Sequence, residues 1–247
     1  MSRDGAAWFV APPDRWTATH VSLPRDESHH ARRSLRVSAS DLITVTDGAG
    51  RVARCAVERV EDDVILAAIL DHERRPRPVP EIVVYQGAPK GGKSDDVVER
   101  LAELGVSATW IFSSERAVVN WDDAKRSRRA ARWEAIARGA AKQSRNPYVM
   151  ATGPPISWTT LVHRVTNETS TIVLWERATL PLRTALDPPA RRIALIVGPE
   201  GGLSRGEAEA LADAGGRLVS LGPRILRTEN AAFAAVAALQ FHYGLIG

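Results

Sequence analysis

A single cysteine, Cys55, stands in a chain of 247 residues. One thiol forms no intrachain disulfide and builds no cysteine zinc site. The histidines, at positions 20, 29, 30, 72, 163 and 242, do not make up for it. They show no metal-ligand spacing, and adjacent His29 and His30 are poorly placed to chelate one ion, so no metal is expected. Also missing is any apolar run approaching the roughly 20 residues of a membrane span. The opening MSRDGAAWFVAPPDRW lacks the apolar core of a secretory signal. A cytoplasmic protein with no membrane partner is expected. Charge of one sign is scarce as well: the formal net charge is +4, with 25% of residues charged. The excess is mostly arginine, and it is clustered. That matters more than the sum, because a guanidinium binds phosphate bidentately and stacks on bases.

What is present divides at residues 74–80, RRPRPVP, which break all periodicity and read as a linker. Before it the pattern is β. LITVTDG (42–48) alternates Ile43 and Val45 with threonines, Asp47-Gly48 turns the chain, and RVARCAVERV (51–60) returns. VILAAIL (64–70) is a further strand, giving a β-rich unit over 1–75 consistent with a barrel. Beyond it, over 76–247, short apolar runs alternate with helical patterns: IVVY (82–85), ATWIF (108–112), TIVLW (171–175), RIALIV (192–197) and RLVSL (217–221). Such runs fit an α/β domain with a parallel sheet covered on both faces. A helix over 95–104 is expected with Ser94 as its cap and Gly105 as its stop. A second, over 124–143, carries Lys125, Arg126, Arg128, Arg129, Arg132, Arg138 and Lys142 with almost no acid beside them, which points to nucleic acid. The Pro-rich stretches 151–168 and 178–191 read as loops.

GAPKGGKS, Gly87–Ser94, matches the phosphate-loop pattern between a strand and a helix. A nucleotidase also needs a strand-end aspartate for magnesium. Downstream, ATWIF ends in Ser-Ser-Glu, RIALIV in Gly-Pro-Glu and RLVSL in Gly-Pro-Arg. A phosphate-loop NTPase therefore stays open but unsupported. The turn is equally suited to an RNA phosphate, held by backbone N–H groups at a helix N-terminus.

Denser chemistry lies at the C-terminal end. IVGPEGGLSRGE (196–207) places Gly198, Pro199, Glu200, Gly201 and Gly202 directly after a buried strand, and Ser204 with Glu207 forms a capping box. In VSLGPRILRTENAAF, Gly222 breaks the next strand and Thr228 is placed to cap an Ala-rich helix. Two such loops at strand carboxyl ends make a crevice where parallel sheets bind ligands. A non-catalytic RNA-binding protein would not need both.

GPEGGLSRGE followed by LGPRILRTENAA resembles the paired signature of the ribosomal small subunit RNA methyltransferase E family (RsmE), of the SPOUT class of trefoil-knotted methyltransferases. PKGGKSDDVVERLAELGV (89–106), SSERAVV (113–119), RWEAIARGAAKQS (132–144) and HHARRSLRV (29–37) resemble further motifs of that family, so the likeness covers nearly the whole chain. This sequence departs from the family pattern at Gly92, Arg145-Asn146 and Asn230.

The resemblance implies an N-terminal PUA-like β-barrel over 1–75, then a SPOUT domain over 76–247 with a C-terminal knot, acting as a homodimer. It implies S-adenosyl-L-methionine as cofactor and N3 of a uridine in 16S rRNA of the small ribosomal subunit as target. Carried over by position, the cofactor is expected at Leu174, Trp175 and Glu176, at Gly198 through Gly202, and at Leu221, Gly222, Ile225 and Leu226. Arg227 is expected to stabilise the uracil anion, and Glu229 to accept its proton or orient Arg227. RNA is expected to meet Arg32, Arg33, Arg36, Lys90, Lys93, Arg116 and the basic helix.

Overall fold

The computed structural model describes residues 6–114, 122–168, 170–186 and 190–247. The chain divides into two compact units, Met1–Arg77 with Ala141–Val149, and Pro78–Ala140 with Met150–Gly247.

The first unit contains β1 (Ala7–Val10), β2 (His20–Ser22), α1 (Arg25–Arg33), β3 (Leu42–Thr46), β4 (Arg51–Val60) and β5 (Ile65–Arg74). Its sheet runs β1-β3-β4-β5-β2. β1 lies parallel to β3, and the other pairs are antiparallel. One core draws Phe9, Val21, Ile43, Val45, Cys55, Val57 and Ile65 from all five strands. A sheet whose every strand feeds the same core is curled on itself, as a barrel is. Burial in that core pushes the Cys55 thiol up to about 12, which keeps it protonated and inert.

Periodicity does not reveal α1. Its sequence, RDESHHARR, offers the core only Ala31. Asp26 and Glu27 in its first turn and His30, Arg32 and Arg33 in its last instead complement the helix dipole. Glu27 is buried and pairs with Lys142 Nζ at 2.7 Å.

The second unit contains β6 (Glu81–Gly87), α2 (Ser94–Glu103), β7 (Ala108–Phe112), most of α3 (Asp123–Gln143), α4 (Trp158–Thr166), β8 (Thr171–Leu174), β9 (Arg192–Val197), α5 (Arg205–Asp213), β10 (Gly216–Val219) and α6 (Thr228–His242). The sheet order is β10-β8-β9-β6-β7, parallel throughout. Full cover holds for the central strands, where residues 82–87 of β6, all of β8 and residues 193–197 of β9 are buried, but not for the edge strands, where Trp110 of β7 and Arg217 and Leu218 of β10 are half-buried.

Four expectations need correction. α2 begins at Ser94, with Lys93 as the cap and no capping side chain. Lys93 already has helical angles (φ −64°, ψ −7°), so the extended cap position a serine needs does not exist there. Gly105, at φ +75°, does end the helix, with Val106 N bonded to Leu101 O. The stretch 151–168 is not all loop. Ser157 caps α4, whose Leu161 and Val165 are buried. Within 178–191, Leu182–Ala185 form a 3-10 turn. Lastly, the basic helix does meet an acid. Asp95 of α2 accepts from Arg132 Nε at 2.6 Å, Arg129 Nη1 at 3.4 Å and the buried Trp133 Nε1 at 3.0 Å. Part of α3's charge therefore holds α3 to α2.

Replacing Lys142 by Met keeps most of the packing but leaves Glu27 buried without its counter-ion, at a cost of about 3 kcal/mol. Burial already raises the Glu27 carboxyl, against the lowering effect of Lys142. Without the lysine it rises further, so the folded state favours the protonated acid. Stability relative to the parent is then best below the unfolded carboxylate range and falls as pH rises through the raised folded value. Urea unfolding near pH 5 and near pH 8 should show the larger deficit at the higher pH.

Candidate active site

The carboxyl ends of β8, β9 and β10 lie side by side in the sheet. The segments leaving them wall one cavity of about 650 Å³. From β8 come Leu174, Trp175 and Glu176. From β9 come Gly198, Pro199, Glu200, Gly201 and Gly202. From β10 come Leu221, Gly222, Ile225 and Leu226. Arg227 and Glu229 line it at the start of α6, and so does Lys93 from the glycine turn. The structure thus brings together every residue expected at the cofactor and both expected to be catalytic. Sequence reasoning missed Leu203, Ser220, Arg224 and Thr228 as lining, although Arg224 and Thr228 sit inside the quoted motif. It also placed Lys93 only toward RNA.

Local chemistry fixes these walls. Gly202 turns at φ +67°, with its N–H on Pro199 O at 2.9 Å. A Cβ there would meet Glu176 Oε2 at 3.1 Å, so the Glu176 carboxylate lies against bare backbone. Ser204 and Glu207 form the expected capping box, which fixes where the loop ends and α5 begins. Glu200 Oε1 accepts from Lys90 N at 2.8 Å and ties the glycine turn to this loop.

Thr228 does not cap α6 through its side chain. The cap is Arg227, and Thr228 is the first helical residue. Its buried hydroxyl instead donates to Gly198 O and accepts from Gln86 Nε2 at 2.7 Å. One residue on, Glu229 accepts from Lys93 Nζ at 3.1 Å. A hydrogen bond from its own backbone N–H, then Lys93 and the Arg227 charge, hold the Glu229 carboxyl below its ordinary range. Its second oxygen is buried with no partner among the described residues.

Gly87 has a role no phosphate-loop pattern anticipates. A Cβ on it would lie 2.4 Å from Pro199 N and 2.8 Å from Gly198 C. β6 therefore needs glycine where it passes under the β9 exit. Gly91 and Gly92, at φ +69° and +81°, serve the turn and have open space around them.

Of the residues expected to meet RNA, Arg32 bonds Asp62 at 2.8 Å, Arg33 and Arg36 are exposed, and Lys90 projects from the turn. Arg116 lies outside the described residues. Among the described residues no group of three or more His, Cys, Asp or Glu is arranged to hold a metal. No described helix is long and apolar enough to cross a membrane.

The chain thus carries a parallel α/β domain with glycine-bearing strand exits around a cavity, and a small barrel. Family models described as an RNA methyltransferase domain and an RNA methyltransferase PUA domain match residues 75–240 and 23–70. The chain is 36% identical to the ribosomal RNA small subunit methyltransferase E of Mycobacterium bovis, over 87% of this chain and 83% of that one. Against the Bacillus subtilis protein of that name it is 30% identical over 93% of both. The solved structure of the Neisseria gonorrhoeae protein of that name, bound to S-adenosyl methionine, superposes with a TM-score of 0.85 at 29% identity, covering 96% of this chain and 98% of that one. The chain belongs to the ribosomal RNA small subunit methyltransferase E family.

Two glycines of GAPKGGKS separate the packing account from a phosphate-loop account. Gly87→Ala forces backbone apart and should cost about 2–3 kcal/mol. Gly91→Ala, with free space but a left-handed backbone, should cost only about 1 kcal/mol. Thermal melts of both variants check this ranking, and equal losses would contradict it.

Proposed function

We propose that this chain methylates N3 of a uridine in 16S rRNA of the small ribosomal subunit, using S-adenosyl-L-methionine. The barrel over 1–75 serves as an RNA-binding domain and 76–247 as the catalytic domain of a cytoplasmic enzyme. The observation that carries this reading is the convergence of three strand exits, Arg227 and Glu229 on one cavity. The cavity fits the cofactor. Leu174, Trp175, Leu221, Ile225 and Leu226 offer apolar walls for an adenosine, and the turn over 198–202 offers backbone groups. Glu176, pressed against Gly202, would hold polar groups of the ligand. Bound there, S-adenosylmethionine supplies an electrophilic methyl group on a sulfonium.

Uracil N3 is a poor nucleophile until its proton leaves. The anion then spreads onto the flanking carbonyl oxygens, where the Arg227 guanidinium stabilises it. Glu229, held ionised by its own backbone N–H and by Lys93, is a weak base. Its better role is orientation, holding Lys93 at the cavity by a hydrogen bond with its negative charge near Arg227.

Exposed apolar side chains support a homodimer. Ile225 is 86% and Phe241 71% accessible, and Leu226 and Ile246 are exposed as well. A second copy covering them removes that surface from water.

The test is mass spectrometry of 16S rRNA from small subunits incubated with the protein and S-adenosylmethionine. A gain of N3-methyluridine is expected, and its absence would remove this assignment. Arg227→Ala should lower kcat by about 10²-fold or more. Glu229→Gln should lower it less, because removing an orienting group leaves the guanidinium in place. Phe241→Glu should shift the sedimentation coefficient from dimer to monomer.

A further inference from the structure

The first unit holds a second cleft, of about 620 Å³, on the outer face of its sheet. The register builds it as one cross-strand row: Trp8 of β1 beside Thr44 of β3, Thr44 beside Arg54 of β4, and Arg54 beside Asp71 of β5. These positions alternate with the buried Phe9, Ile43, Val45, Ala53 and Cys55, so the row faces away from the core. β5 bulges opposite this step: Arg54 pairs with Asp71 and Cys55 with Ile69, which leaves Leu70 as the extra residue. A bulge at this point re-aims Asp71 relative to a regular ladder. Arg75 and Arg145 complete the rim.

Each polar group is held rather than loose. Arg54 bonds Asp71 at 2.8 Å, and Arg75 bonds Glu73 at 2.7 Å. Arg75 also sits 5.9 Å from the centre of the Trp8 ring, an outer-range cation–π contact. Arg145 takes φ +56°, in the left-handed region where a non-glycine residue is strained. That conformation belongs to the end of α3, where Asn146 N bonds Ala141 O at 2.9 Å.

We propose that this cleft holds one unstacked nucleotide of the rRNA, its base against Trp8 and its phosphate on Arg145 and Arg75. The RNA class rests on the function proposed above; the cleft's own chemistry selects a nucleotide over a bare polyanion. Asp71 and Glu73 repel phosphate but accept from the N–H edge of a base. An indole beside a guanidinium binds a base through stacking and charge together. The acids also fix the two guanidinium groups in advance, so fewer rotamers are lost on binding. Neither this row nor Arg145 belongs to the arginines that the sequence had directed toward RNA.

The probes are a fluorescein-labelled single-stranded oligouridylate and an abasic ribose-phosphate oligomer of equal length, read by anisotropy. The parent should prefer the oligouridylate. Trp8→Ala should weaken its binding about tenfold and erase the preference. Arg145→Gly suits the left-handed backbone, and a thermal melt checks that the variant is folded. It should bind severalfold more weakly and reduce the slope of log K against log salt by about 1. Unchanged oligouridylate binding in both variants overturns the cleft, and so does a parent without preference for bases. Cofactor binding by calorimetry and methylation of small subunits are measured alongside. If those fail, the enzymatic reading falls, while the cleft still stands or falls on the oligouridylate results alone.

Discussion

The cavity depends on how closely β6 passes beneath the loop that leaves β9. Gly87 has no room for a Cβ against Pro199 N, and its neighbour Gln86 donates to Thr228, which in turn donates to Gly198 O. These groups are buried, where a hydrogen bond is electrostatically strong and an orphaned partner costly. The chain of contacts pins three segments distant in sequence: the end of β6, the β9 exit and the first turn of α6. Once they are pinned, the next residues have little choice. Glu229 follows Thr228 by one position and Lys93 follows Gly87 by six, and the two meet at 3.1 Å. The lysine that looks like a nucleotide-binding lysine is turned toward a carboxylate at the mouth of α6.

The same economy governs the arginines. Arg129 and Arg132 share Asp95, Lys142 neutralises Glu27, and Arg32 holds Asp62. A count of cations along α3 cannot distinguish those that bind helix to helix from those that face a ligand. Partner distance and burial can. Exposed pairs contribute little to stability and exchange readily for phosphate. Buried Glu27 with Lys142 does not, because separating them strands a charge in a low-dielectric core.

Much of this was legible in the sequence. The strands of the parallel sheet show as short apolar runs that alternate with helical patterns. Residues 198–203 and 221–229 of the two glycine-bearing motifs reach the cavity because each motif begins where a strand ends. What stayed hidden was long-range. Nothing local to Gly87 reveals Pro199, and nothing local to Lys93 reveals Glu229. Thr228 reads as a cap because threonine before an Ala-rich run usually is one; a tertiary acceptor, Gly198 O, claimed its hydroxyl instead. α1 was invisible for a different reason. It is held by charge and by one alanine, so it leaves no apolar period to detect. α4 was masked by the prolines ahead of it and by having only two buried positions.

The state of Glu229 decides how labour is divided at the cavity. Its carboxyl is lowered, chiefly by its own backbone N–H and then by Lys93, against the opposing effect of burial. A lowered acid contributes its pairing above the unfolded carboxylate range and loses it only as pH falls through the depressed folded value. Across neutral pH the Glu229 carboxyl therefore stays ionised, a weak acceptor for the N3 proton. The proton can leave to water, and the protein's contribution is to make the resulting anion less costly. That places the chemical burden on the Arg227 guanidinium at the start of α6. Glu229 then matters through geometry: it ties Lys93 to the first turn of α6, two residues after Arg227, which caps that helix.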